Sequence, residues 1–270
     1  MQLFYHPGSK ELARKHILPI LLPMLHKAQE YREPFLGAGA IGIAVMDRHP
    51  RLPCWLNDAD PAIVALWEAT RDNPTELIER IGNFRPTVPA FDLFKRHIDA
   101  RAELPETAAE IVEFGFHQLA VSMMRWSGCG GGPRGGYDQH QPRIGERWSK
   151  KRISGKVGAI SQRLTNARIT NIDFGPLIED TSRHAVRFID PPYFDKKLYR
   201  YGFDGHERLA HLLKQTPHDW LLTYQDDSEV WELYEGWASI KHLYESRLVH
   251  FDPETRAAEK VDTLAISNLR

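Results

Sequence analysis

Ala185-Val186-Arg187-Phe188-Ile189-Asp190-Pro191-Pro192-Tyr193 is the stretch on which the reading of this chain turns. The run from Ala185 to Ile189 is short, mostly apolar and stopped by turn residues, the pattern of a strand buried inside a sheet. The strand delivers Asp190 to the sheet edge. Neither proline carries a backbone N–H and each fixes its own φ, so the carbonyls of Asp190 and Pro191 are held outward in a stiff, extended turn. Acceptors gathered beside a ring suit a flat partner that carries an amino group. Asp190 and the Pro191 carbonyl would take its hydrogens while Tyr193 stacks on its face, and a nucleobase has that form. Taken alone, the same tetrapeptide also fits a strand that ends in a proline-stiffened loop.

Upstream, Tyr31 to Ala40 reads Tyr-Arg-Glu-Pro-Phe-Leu-Gly-Ala-Gly-Ala. A strand to Leu36 breaks into Gly37-Ala38-Gly39-Ala40, and an apolar helix is expected from Ile41 to about Asp47. Glycines at a strand-to-helix turn let a ligand approach the backbone, and the helix N-terminus offers free amides and a positive dipole end. Such a turn fits an adenosyl cofactor, a nicotinamide cofactor or a tight packing turn. A second strand, Leu52 to Leu56, leads to Asp58, about 20 residues past the glycines, where an acid can take both ribose hydroxyls of an adenosyl group. Asp58 equally suits the cap of a helix expected from Asp60 to Arg71.

Strands are expected at about 31–36, 53–57, 168–172, 185–190, 219–224, 238–243 and 261–267, with Leu243 to Glu259 as a hairpin excursion. The fold class is α/β: a seven-stranded, mixed, mostly parallel Rossmann-like sheet with helices on both faces. Both candidate ligand turns, after the first and fourth strands, fall at carboxyl ends, where ligands of such sheets bind. Leu12 to Gln29 reads as two short helical pieces interrupted by Pro19 and Pro23. The strand Ile169 to Ile172 ends in Asp173-Phe174.

The α/β alternation is suspended between Asn73 and about Arg168. Thr75 to Ile81, Ala90 to Glu103 and Glu106 to Arg125 are expected helices, while Ser127 to Arg147 is rich in glycine. From Arg125 to Arg168 there are ten lysines and arginines against two acids, Asp138 and Glu146, in a chain whose net charge is -1. Trp126, Tyr137 and Trp148 are interleaved with these cations. That combination is the footprint of phosphate contacts with stacking or wedge side chains, and also of a solvated basic face. Candidate nucleic-acid contacts are Arg125, Trp126, Arg134, Tyr137 and Arg143, followed by Arg147, Lys150, Lys151 and Arg152. Phe194 to Gly202, basic and aromatic, either covers the substrate base or is an ordinary surface loop.

Composition closes other routes. Hydrophobic residues make up 42% and charged residues 26% of the 270 positions, ordinary for a globular chain. Two cysteines, Cys54 and Cys129, and thirteen histidines show no ligand spacing, so neither a disulfide framework nor a metal is expected. No signal-peptide pattern or membrane-spanning run is present, and a reducing cytoplasm is the expected compartment. No HExxH, Walker loop or Ser/His nucleophile elbow occurs.

Taken with their order, these motifs resemble the DNA adenine methyltransferase family (Dam-like). Asp190-Pro191-Pro192-Tyr193 is similar to the catalytic tetrapeptide of the amino methyltransferases that modify adenine or cytosine in DNA, and Glu33-Pro34-Phe35 resembles their version of the glycine turn. Phe4 to Lys10 resembles the family's opening motif, in which an aromatic and a lysine flank the methyl donor. The resemblance implies S-adenosylmethionine as cofactor, with Tyr5, Lys10, Phe35, Gly37, Gly39, Asp58, Asp173 and Phe174 on its side. Asp173 either accepts from the cofactor adenine or caps the following short helix. Residues 1–72 and 168–270 would form the catalytic domain, and 73–167 the inserted target-recognition region, to which Pro133 to Tyr137 is similar in part. Thr223-Tyr224-Gln225-Asp226 departs from the family's Ser-Asn-Asp strand end.

The implied activity is site-specific methylation of the exocyclic amine of a flipped adenine in double-stranded DNA. A cytosine amino-methyltransferase, an RNA methyltransferase and an inactive nucleic-acid-binding protein on the same fold are the alternatives, with a nicotinamide oxidoreductase further off. A restriction endonuclease is a conceivable partner and no membrane is implied.

Overall fold

A computed structural model of the chain describes all residues except 1, 5, 7, 8, 126–143, 195–199, 250–257 and 270, and the backbone alone of 246–249 and 258–261. Its strands are β1 (Glu30–Glu33), β2 (Cys54–Asn57), β3 (Ala167–Thr170), β4 (Ala185–Ile189), β5 (Trp220–Gln225), β6 (Ser239–Val249) and β7 (Ala258–Ser267). They form one sheet in the order β3-β2-β1-β4-β5-β7-β6. The first five run parallel, and β7 lies antiparallel between β5 and β6. All seven expected strands are therefore present. β1 stops at Glu33 instead of Leu36 because Pro34 has no N–H for the ladder; the Leu36 amide still reaches the Asn57 carbonyl, at 2.8 Å. The expected excursion between the last strands is largely ladder, since β6 runs on to Val249 and β7 begins at Ala258, with a bulge between His242 and Tyr244.

Successive strand residues face opposite sides of a sheet, and here that alternation separates two cores. Val186, Phe188, Leu221 and Ala265 join one cluster. Ile189, Trp220, Leu222, Tyr224, Leu264 and Ile266 join the other. The first face carries α1 (Arg14–Met24), α2 (Ala40–Arg48), α3 (Pro61–Asp72), α4 (Pro74–Asn83), α5 (Val88–Asp99), α6 (Ala108–Met124) and α7 (Lys150–Leu164). The second carries α8 (Gly175–Glu179), α9 (His206–Gln215) and α10 (Ser228–Tyr234).

Two elements differ from expectation. α1 is one helix, with Pro19 and Pro23 inside it. Both prolines and Lys15 lie on its exposed side, so the carbonyls of Lys15 and Pro19, deprived of their helical donors, face water, while Ile17, Leu18, Leu21 and Met24 are buried opposite. α7 was not expected from the basic stretch, yet Ile153, Val157, Ile160 and Leu164 form a buried stripe along it. It packs on α3 and α4, as α6 packs on α3.

Two arginines on neighbouring strands, Arg32 and Arg187, are register partners and are fully buried. Backbone carbonyls at the end of α8 make this tolerable. Arg187 donates to the carbonyls of Leu177 and Ile178, and Arg32 to the carbonyl and carboxylate of Asp180. Burial, with the charge of Arg32, brings the Arg187 guanidinium down to about 9.

Candidate active site

β1 lies between β2 and β4, so the chain leaves the sheet in opposite directions on either side of it, and a crevice opens at the carboxyl ends there. The glycine turn enters this crevice from β1 and the Asp-Pro-Pro-Tyr turn from β4. Gly37 and Gly39 have φ of 48° and 60°, in the left-handed region that glycine adopts without steric cost. A Cβ on Gly39 would stand 2.7 Å from Cζ2 of Trp67, and the Trp67 indole in turn donates to the Gly37 carbonyl at 2.9 Å.

The neighbouring strand ends are tied to this turn by polar side chains. Buried Asn57 donates to the carbonyls of Pro34 and Ile172 and accepts from the Ile172 amide and the Thr170 hydroxyl. Asp58 accepts from the Gly37 amide at 2.7 Å and from the Asp60 amide at 2.9 Å. It therefore clamps the glycine turn, and the cap of α3 falls to Asp60, which accepts from the Ala62 amide. Burial raises the Asp58 carboxyl to about 7. Glu33 is also buried, accepts from the Tyr31 hydroxyl at 2.8 Å, and is raised by burial to about 8.

Glu33, Phe35, the glycine turn, Asp58, Asp60, Phe188, Asp190 and Pro192 line one cleft together with His6, Ser9, Lys10 and residues 200–203. Its free volume, open mouth included, is about 800 Å³. Phe35, Phe174 and Phe203 form a triangle at one wall, with ring centroids 5.2 to 5.5 Å apart.

Asp190 stands where the cleft meets the sheet. Its carboxylate is held from three sides: the Lys10 ammonium at 2.6 Å, the Thr223 hydroxyl at 2.8 Å and, more weakly, the Tyr193 hydroxyl at 3.4 Å. Lys10 also lies 5.1 Å from the centroid of the Tyr193 ring. Burial and the neighbouring Asp190 charge raise the Tyr193 phenol well above its ordinary value, so it stays a donor. Thr223 is a residue that sequence reasoning missed. Ile189 pairs with Leu222 in the parallel ladder, which sets Thr223 beside Asp190, and only that register reveals it.

The other expected residues fall as follows. Lys10, Phe35, Gly37, Gly39 and Asp58 line the cleft beside Asp190. Asp173 does not line it: its carboxylate accepts from the Gly175 amide and forms a two-pronged pair with Arg208 that holds it below the usual carboxylate range. The Gly175 contact is the one that the helix-start reading of Asp173 expects. Tyr5, Trp126, Arg134, Tyr137 and Arg143 lie outside the described residues. Arg147 donates to the Arg125 carbonyl, Lys150 to the Gly82 carbonyl at the end of α4, and Arg152 to the Arg147 carbonyl. Lys151 is exposed on the first turn of α7. Trp148, expected among the stacking or wedge aromatics, instead packs on Phe84 and Phe116, with centroids 5.0 and 6.3 Å away.

Two groups of donors come together that sequence spacing did not announce: His97, Glu113 and His117 between α5 and α6, and Asp226, His242 and Asp262 at the β5–β7–β6 edge. In the first, the two Nδ1 atoms are 2.7 Å apart, a hydrogen bond in which one ring donates and the other accepts, and burial lowers His117 to about 4, keeping it neutral. In the second, Asp226 accepts from the Trp231 indole at 2.7 Å.

The sheet order with its antiparallel seventh strand, and an acid-proline-proline-tyrosine turn opening on the cleft beside a glycine turn, define the class: a methyltransferase of α/β type. The model of the D12 class N6 adenine-specific DNA methyltransferases matches residues 6–249, and the chain belongs to that family. It is thus an adenine-specific DNA methyltransferase, with DNA as substrate. No curated protein matches the chain. Among solved structures, HI0767 of Haemophilus influenzae, described as a methylase, is similar at 10% identity and a TM-score of 0.38. The alignment covers 96% of this chain and 89% of that one. Among the described residues no helix is long and apolar enough to cross a membrane.

Proposed function

We propose that this enzyme transfers the methyl group of S-adenosylmethionine to the exocyclic amine of an adenine flipped out of duplex DNA. The observation that carries the reading is the meeting of Asp190 with the glycine turn in one cleft. The residues present fit the cofactor. A Cβ on Gly37 would come within 3.2 Å of the His6 ring, so glycine lets His6 close against the turn, and the aromatic wall at Phe35 is of the kind on which an adenine packs. Phe35, Gly37, Gly39, Asp58 and Lys10 would hold the cofactor, with Phe174 behind Phe35 and Tyr5 nearby. When bound, S-adenosylmethionine supplies an electrophilic methyl carbon on a sulfonium.

The amine of adenine is a weak nucleophile because its lone pair is delocalised into the ring. Asp190 and the Pro191 carbonyl accept its two hydrogens, favour a pyramidal nitrogen and stabilise the positive charge that grows there during attack. Pro191 and Pro192 keep the turn stiff. Thr223 and Lys10 fix the Asp190 carboxylate, and the Tyr193 ring offers a face to the extruded base, whose unstacking costs a few kcal/mol. Residues 73–167, inserted between the catalytic stretches 1–72 and 168–270, read the DNA, with the cations from Arg125 to Arg152 on phosphates.

The test is transfer of labelled methyl from S-adenosylmethionine to unmethylated duplex DNA, with the product nucleoside identified. N6-methyladenine is expected. Methylcytosine, or transfer to RNA alone, would overturn the reading.

A further inference from the structure

Arg200 belongs to the basic, aromatic stretch Phe194 to Gly202, expected either to cover the substrate base or to be an ordinary surface loop. It follows the Asp-Pro-Pro-Tyr turn by seven positions and lines the cleft together with Tyr201, Gly202 and Phe203. This short segment is anchored at both ends. Phe203 is wedged edge-on against Phe35 and Phe174, at centroid distances of 5.2 and 5.5 Å. Arg200 is held at the opposite end by three oxygens: the Asp60 carboxylate at 3.0 Å, and the carbonyls of Ile98 and Arg101 at 2.5 Å each. The Tyr201 hydroxyl points the same way, 3.5 Å from the Ala102 carbonyl. The segment is therefore a strap across the cleft.

The three acceptors belong to two different regions. Asp60 caps α3 and donates its own amide to Asp58, which clamps the glycine turn. Ile98 and Arg101 lie at the carboxyl end of α5, where the helix dipole is negative and favours a cation. A planar guanidinium presents several donors in a fixed fork, so one side chain can serve both regions at once; an ammonium is a point charge without that geometry. No other cation contacts Asp60 in the described residues' hydrogen bonds and ion pairs.

We infer that Arg200 is a positioning residue that joins the cofactor cleft to α5, so that filling of the cleft and engagement of DNA by the helical region strengthen each other. This rests on the proposed function, in which the cleft takes S-adenosylmethionine and residues 73–167 read DNA. Linkage makes the effect reciprocal: whatever factor DNA adds to cofactor affinity, cofactor adds to DNA affinity.

The experiment measures the affinity of S-adenosylhomocysteine by calorimetry, with and without unmethylated plasmid DNA, for the parent, Arg200→Lys and Arg200→Met. DNA is expected to tighten binding to the parent by about fivefold or more, as allosteric couplings usually do. In Arg200→Met the ratio should collapse to near one, with Arg200→Lys intermediate and the thermal midpoint of both reported alongside. A lowered midpoint with the coupling ratio intact would show a merely structural role and overturn the inference, as would a parent in which DNA leaves the affinity unchanged. If Arg200→Met does not fold, the comparison of parent with Arg200→Lys decides: an unchanged ratio overturns the inference, a reduced one supports it. Failure of the underlying reading looks different, because the parent would then not bind S-adenosylhomocysteine at all.

Discussion

The Lys10 ammonium stands 2.6 Å from Oδ2 of Asp190, across 180 positions of sequence. The N-terminal turn is thereby fastened to the end of β4, and the acid of the tetrapeptide carries a cation before any substrate arrives. Lys10 itself is only 6% exposed. Replacing it by methionine keeps the stem and removes the charge.

Lys10→Met is therefore expected to lower methyl transfer by about tenfold or more, because the carboxylate loses the contact that orients it. Lys10→Arg should retain part of the activity. Steady-state rates at saturating cofactor check this, and a methionine variant as fast as the parent would show that Thr223 and Tyr193 suffice.

Gly39→Ala meets two penalties. A left-handed φ costs an alanine about 1–2 kcal/mol, and the new methyl would stand 2.7 Å from the Trp67 ring. The glycine turn must move, and with it the Gly37 amide that Asp58 holds. The expected result is a lower thermal midpoint and cofactor affinity weakened by about tenfold or more. Calorimetry with S-adenosylhomocysteine reads the second effect directly.

Glu33 gives a pH dependence whose sign is fixed by burial. Its carboxyl is raised from an ordinary 4.5 to about 8, so between those values the folded chain holds a proton that the unfolded chain has released. Unfolding then releases a proton, and this group's contribution makes stability fall as pH rises through that window. Asp58, raised from 3.8 to about 7, acts in the same direction over a lower window. Glu33→Gln cannot titrate. Its thermal midpoint should fall less than the parent's between pH 5 and pH 8, the window that Glu33 spans; equal slopes would contradict the assignment of the raised group to Glu33.

How much of this was legible depends on whether a feature is local. Each strand was readable because it is a short apolar run between turn residues, and β4 and β5 are buried almost throughout. The glycine turn and Asp190 were readable because strand ends at a switch point collect ligand residues. α7 was not, because it opens on Lys150, Lys151 and Arg152, where the dipole prefers acids, and its apolar stripe is diluted by charge. α1 was divided at prolines whose cost depends on which side faces water. Thr223 was invisible for another reason, because it needs the β4–β5 register, and the contact of Arg200 with α5, unlike the basic stretch that holds Arg200, leaves no mark in the sequence nearby.

The most direct test of the central claim, that Asp190 is the group on which the target amine is held, compares Asp190→Ala with the parent for cofactor binding and for methyl transfer to unmethylated duplex DNA. The account predicts S-adenosylhomocysteine affinity within about threefold of the parent, because Asp190 reaches the amine and not the glycine turn, and transfer lower by about a hundredfold or more. Transfer within about tenfold of the parent, with cofactor binding intact, would contradict it.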